Sequence, residues 1–210
     1  IAELSLVIYE PNDKPIPSTN LVKPDPPHMT TGRAILISLM HTYKQASLDP
    51  HITLLEIQKL MYFAQESGEN LRLTFSKGLY GPYANNLRHV LLKLEGTYTY
   101  GYGVDGDDPT KIIDLLPGSI QAAQTKLTDE PITQERIKRV QKLVEGFETP
   151  LGLELLATVH WIANQQNISN SEEILHEMHA WNTHKQIFSL RQIMIAYETL
   201  FDGGWLPTPN

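Results

Sequence analysis

The chain has no cysteine. That excludes a disulfide framework and any thiolate metal site, and it fits a reducing cytoplasm, the expected location. It lacks an apolar run long enough to span a bilayer, so no membrane partner is expected. Ile1 to Glu10 has neither a basic start nor a small-residue cleavage site, which excludes a signal peptide from that stretch. Positive charge is in the minority: 17 Lys and Arg against 24 Asp and Glu give a net charge of -7. Such a balance argues against a general nucleic-acid binder and favours a basic partner. No Gly-rich phosphate loop occurs, because Gly101-Tyr102-Gly103 runs into aspartates that would repel a phosphate. No Ser, His and Asp spacing marks a nucleophile, so no catalytic residue, cofactor or metal is assigned and the chain is expected to be non-enzymatic.

What is present is a core. Hydrophobic residues make up 41% of 210 positions, enough for one sizeable domain with an appendage. Leu4 to Tyr9 is β-prone. Pro11, Pro15, Pro17, Pro24, Pro26 and Pro27 then make an extended linker. The chain opens on Ile1, which suggests a cut from something larger. The expected organisation is a strand remnant over 1–10, a proline-rich linker over 11–28 and a helical domain over 29–210.

Helix signals dominate the rest. Thr30-Thr31 caps a helix to Ala46. Thr53 with Glu56 forms a capping box for a central helix whose apolar residues cover much of its circumference, with Gly68 as its stop. Leu71 to Phe75 alternates like a short strand. Gly81-Pro82 predicts a turn, with Pro82 opening a helix that buries Tyr83, Leu87, Val90, Leu91 and Leu94. Tyr98 to Tyr100 and Lys111 to Leu116 suggest a small hairpin. Further helices are expected at Ser119–Leu127, Thr133–Gly146, Pro150–Gln165, from Ser169 to Trp181, and from Thr183 to Asp202 before Gly203-Gly204. The fold class is mainly α: a compact helical bundle with a small β-hairpin.

Two stretches of this pattern carry a resemblance. Ile57-Gln58-Lys59-Leu60-Met61-Tyr62-Phe63 followed by Leu79-Tyr80-Gly81-Pro82-Tyr83 resembles the signature of Panacea antitoxin domains. With Glu145 to Trp161, it is more similar still to the C-terminal, toxin-binding domain of DNA ADP-ribosyl glycohydrolase antitoxins (DarG). The similarity runs from Met29 to about Trp205. It implies that the first ten residues are the last strand of a macrodomain, the part of that family that removes ADP-ribose from DNA. The macrodomain's ligand-binding loops would lie upstream, so this fragment is expected to be non-enzymatic while the upstream macrodomain would be the glycohydrolase. It also implies a bacterial toxin-antitoxin partner, a DarT-like toxin that attaches ADP-ribose to thymidine in single-stranded DNA.

The segment that would meet such a toxin is Tyr98 to Asp108. Tyr98, Tyr100 and Tyr102 alternate with small residues and lead to Asp105, Asp107 and Asp108. Carboxylates could stand in for phosphates and rings for bases, a DNA mimic for a groove built to hold single strands. The opposing reading is a solvated turn with its tyrosines packed inward. Calcium is disfavoured, since the spacing and closing Glu of an EF-hand are absent. His176, His179 and His184 with Glu172, Glu173 and Glu177 look metal-like, but His176 and His179 are three apart and no third ligand is anchored, so a polar face is preferred. Arg136, Lys138, Arg139 and Lys142 could make an autoregulatory DNA-binding face, against which stands the acidic total. His160 and Trp161 read as core. The Tyr80-Gly81-Pro82-Tyr83 turn reads as structural, with partner contact through Tyr80 or Asn85 left open.

Overall fold

The first turn of the central helix and its buried polar residues explain where it sits. In the computed structural model, which describes residues 26–47, 49–103 and 106–207, helix α2 runs Leu54–Glu66. Its Glu56 carboxylate accepts from the Thr53 N–H at 2.6 Å and the Thr53 hydroxyl at 2.8 Å. The same buried carboxylate accepts the Tyr43 hydroxyl at 2.7 Å, tying α2 to α1 (Thr31–Ala46). From Ile57 to Ala64 every residue of α2 is buried, so polar residues among them must find partners inside. Gln58 does so with both arms, bonding the N–H and carbonyl of Ala84 at 3.0 and 3.1 Å.

Around α2 stand α3 (Arg88–Leu94), α4 (Ser119–Leu127), α5 (Pro131–Val144), α6 (Pro150–Gln166), α7 (Ser171–Trp181) and α8 (Leu190–Asp202). Two antiparallel two-stranded sheets complete the described residues: β1 (Phe75–Gly78) with β2 (Gly81–Ala84), and β3 (Thr99–Tyr100) with β4 (Asp114–Leu115). The protein is thus mainly α with a small hairpin, as its periodicity and caps predict, and the β1–β2 hairpin adds a second. No helix among the described residues is long and apolar enough to cross a membrane.

Four local expectations are corrected. Pro82 does not open a helix: it lies in β2 opposite Lys77, and a 3₁₀ turn at Asn85–Leu87 leads into α3 instead. A two-stranded sheet has only edges, so the missing proline N–H is tolerated there. The strand expected over Leu71 to Phe75 begins only at Phe75, because Arg72 takes a left-handed φ of 56° that breaks extended pairing. The cap of α7 is Asn170, whose side chain accepts from the Glu172 and Glu173 N–H groups. The final helix is two pieces, a 3₁₀ turn at Thr183–Ile187 and α8, which starts at a Ser189–Gln192 capping box. The proposed strand remnant over 1–10 and residues 11–25 of the linker lie outside the described residues.

α6 is the second core helix, with Leu153 to His160 all buried. His160 from α6 meets Tyr62 from α2: the tyrosine hydroxyl lies 2.7 Å from Nδ1. Nε2 lies 3.1 Å from the Trp205 carbonyl, which can only accept, so Nε2 carries the proton and Nδ1 accepts from Tyr62. Burial holds His160 neutral, with its pKa down to about 4. The ring sits edge-on to Tyr62 and Phe63, an aromatic knot between α2, α6 and the C-terminal turn.

Candidate partner-binding site

The acidic loop is bolted to the start of α2. Two N–H groups of the first turn, which a helix cannot satisfy itself, donate to loop carbonyls: Leu54 to Lys111 at 2.8 Å and Leu55 to Pro109 at 3.0 Å. On its other flank, the Glu95 carboxylate accepts from the N–H groups of Gly101 and Tyr102 at 3.0 and 3.2 Å. Gly101 has φ 112°, and a Cβ there would run into the Ile112 carbonyl. Glycine is the residue that fits.

The three tyrosines are not equivalent. Tyr98 is half-buried against the core. Tyr102 is buried at 4% exposure, and its hydroxyl donates to Asp107. Only Tyr100, at 67% exposure, offers its ring to a partner. Asp107 does more than face solvent: its second oxygen accepts the Tyr83 hydroxyl at 2.7 Å. One carboxylate thus clamps the loop to β2. Desolvation first and Asp107 second raise both tyrosine hydroxyls well above the ordinary range. Asp108 is exposed and accepts from the Thr110 N–H and hydroxyl at 2.9 and 2.7 Å, which holds its carboxyl below the usual range. Asp105 lies outside the described residues.

Beside the loop, the turn of the β1–β2 hairpin and the first half of α2 enclose a cleft of about 500 Å³. Leu55, Leu79, Tyr80, Tyr83 and Pro109 line its sides, and Asp107 and Asp108 stand at it too. Lys59, 2% exposed, is the single Lys or Arg in the lining and gives its ammonium to the Pro82 carbonyl at 2.7 Å. Desolvation, then the nearby Lys185, lowers its pKa to about 7. Behind the turn lies a buried ion pair. Lys185 donates to Glu154 at 2.6 Å and to the Thr158 hydroxyl at 2.9 Å. Burial pulls the Lys185 ammonium down and Glu154 pulls it back up. The sequence reads the Tyr80 turn as structural, with partner contact left open, and gives no sign of the cleft. The one available hint, a Gln and a Lys in the otherwise apolar run from Ile57 to Ala64, is legible only once that run is known to be buried all round.

Several members of the other candidate clusters are engaged elsewhere. Arg136 pairs with Glu69 at 3.1 Å and Lys138 with Glu135 at 3.5 Å. Arg139 donates to the Gly204 carbonyl at 2.7 Å and lies 4.3 Å from the Trp205 ring centre. His179 sits 2.9 Å from the Phe188 carbonyl and His184 3.1 Å from Glu154. Among the described residues no group of three or more His, Asp or Glu is set to hold a metal ion.

No family model matches the chain. It is similar to curated proteins named DNA ADP-ribosyl glycohydrolase. One from Thermus aquaticus is 38% identical over 201 residues, covering 95% of this chain and 54% of the relative. Those from Mycobacterium bovis and Mycobacterium tuberculosis are each 35% identical over 188 residues, covering 82% of this chain and 53% of the relative. The expectation of a non-enzymatic chain is overturned by these relatives, which match most of its length and carry an enzyme's name. The chain spans about half the length of the curated relatives it matches.

Proposed function

We propose that the protein pairs the DNA ADP-ribosyl glycohydrolase activity for which its relatives are named with direct neutralisation of a DNA-modifying toxin. The helical body of residues 26–207 carries the second task. It binds a DarT-like DNA ADP-ribosyltransferase and covers the site where that enzyme holds single-stranded DNA. The observation that carries this reading is that one segment, fixed to α2, presents both an exposed tyrosine ring, Tyr100, and two exposed carboxylates, Asp107 and Asp108. A stacking surface next to fixed negative charge is what a groove for bases and phosphates accepts. Fixing the loop beforehand reduces the ordering cost of binding.

The test is an ADP-ribosylation assay with the cognate toxin, NAD and a thymidine-containing single-stranded oligonucleotide. Added chain should suppress modification stoichiometrically, and Tyr100→Ala should weaken suppression about tenfold, the scale of one stacked ring. Undiminished modification at saturating chain overturns the proposal. The glycohydrolase part is read separately, as release of ADP-ribose from a pre-modified oligonucleotide by the chain.

A further inference from the structure

The cleft beside the loop has a wall built to be covered. Leu79, at the tip of the β1–β2 turn, is 57% exposed. Its turn is nonetheless held from outside the hairpin: the Trp181 indole donates to the Gly78 carbonyl at 2.8 Å and the Asn182 amide to the Leu79 carbonyl at 3.0 Å. With its carbonyls clamped, the turn has little backbone left to order when a partner covers Leu79. Leu55 and Pro109 line the same cleft.

The charge of the cleft selects its occupant. Asp107 spends one lone pair of each oxygen on a tyrosine hydroxyl and keeps others free. Asp108 takes both Thr110 donors on Oδ1, and no donor among the described residues reaches its Oδ2. The Lys59 ammonium is turned to the Pro82 carbonyl. Phosphates would be repelled by this pair of carboxylates, and an acidic peptide likewise.

We propose that this cleft receives one long basic side chain, an arginine, from the toxin. Its methylene stem lies between Leu55, Leu79 and Pro109, and its guanidinium reaches Asp107 and Asp108. A planar guanidinium also stacks on the Tyr80 and Tyr83 rings, which a lysine ammonium does less well. This inference rests on the toxin-binding reading and names the contact by which the body grips its partner.

Calorimetric titration of the chain with purified toxin tests it. Leu55→Trp fills the cleft and should weaken binding about 30-fold, the scale of a central anchor. Asp108→Asn should weaken it about tenfold, with a flatter salt dependence. If Leu55→Trp fails to fold, Leu79→Asp at the exposed tip takes its place, with the same loss expected. Toxin that binds the unmodified chain and all variants equally overturns the cleft alone. Toxin that does not bind the unmodified chain overturns the toxin-binding reading and this inference with it. A single-stranded oligonucleotide that binds the chain and is lost in Leu55→Trp also overturns the inference.

Discussion

The Tyr62 hydroxyl donates to His160 Nδ1 at 2.7 Å in the centre of the protein. This bond joins the two most buried helices and fixes a neutral imidazole there. The unfolded chain carries an ordinary histidine near 6.5, while the folded one holds its pKa at about 4. Between those values the unfolded state binds the proton first. The contribution is therefore complete above pH 6.5 and is lost as pH falls towards 4, by about 3 kcal/mol. Urea unfolding across that range should show a smaller acid loss in His160→Gln than in the parent. Tyr62→Phe should cost about 1–3 kcal/mol by leaving Nδ1 buried without a donor.

Gly81 has φ 91°, and a Cβ there would stand 2.5 Å from the Thr158 hydroxyl. Both strain and overlap oppose any side chain. Gly81→Ala should destabilise by about 3 kcal/mol, lowering the melting temperature by roughly 6–12 °C for a chain of this size. Calorimetry reads this directly. A Gly81→Ala/Thr158→Ala double variant should recover the overlap part and leave the backbone part.

Lys185 and Glu154 form a buried pair behind the same turn. Lys185→Met should cost about 3–5 kcal/mol, because Glu154 is left inside without its closest partner. Adding Glu154→Leu should restore much of the loss. Chemical denaturation of the two single variants and the double gives the coupling.

Asp107 holds Tyr83 and Tyr102 at once. Asp107→Ala should free the loop while leaving the body intact. Amide exchange over 101–103 and 106–111 should rise at least about tenfold, with α2 and α6 unchanged. Uniform protection in the variant would show that the clamp does not order the loop.

Much of this architecture was legible beforehand, and for definite reasons. α1 and α6 follow from local caps and long apolar stripes, and α4 from the Pro117-Gly118 break before it, signals that need no tertiary information. Pro82 misleads because proline suits the first turn of a helix and an edge strand equally, and only the pairing of Lys77 with Pro82 decides. Asn182 caps a 3₁₀ turn where Thr183 and Gln186 mimic a capping box. The loop's tyrosines and aspartates were visible as a group, but their division of labour was not. Which ring turns outward depends on Glu95 and Gly101, and Asp107 finds Tyr83 across 24 residues of sequence. The cleft is made by three segments that meet only in the fold. A chain without enzymatic activity was the expectation, and the curated relatives correct it.

The central claim is that this helical body occupies the toxin's DNA site. The most direct measurement is competition: labelled single-stranded DNA bound to purified toxin, titrated with the chain and followed by fluorescence anisotropy. The account predicts complete displacement at one chain per toxin, with an apparent affinity that weakens in proportion to added DNA. A stable ternary complex, with DNA still bound while the chain is on the toxin, would contradict it.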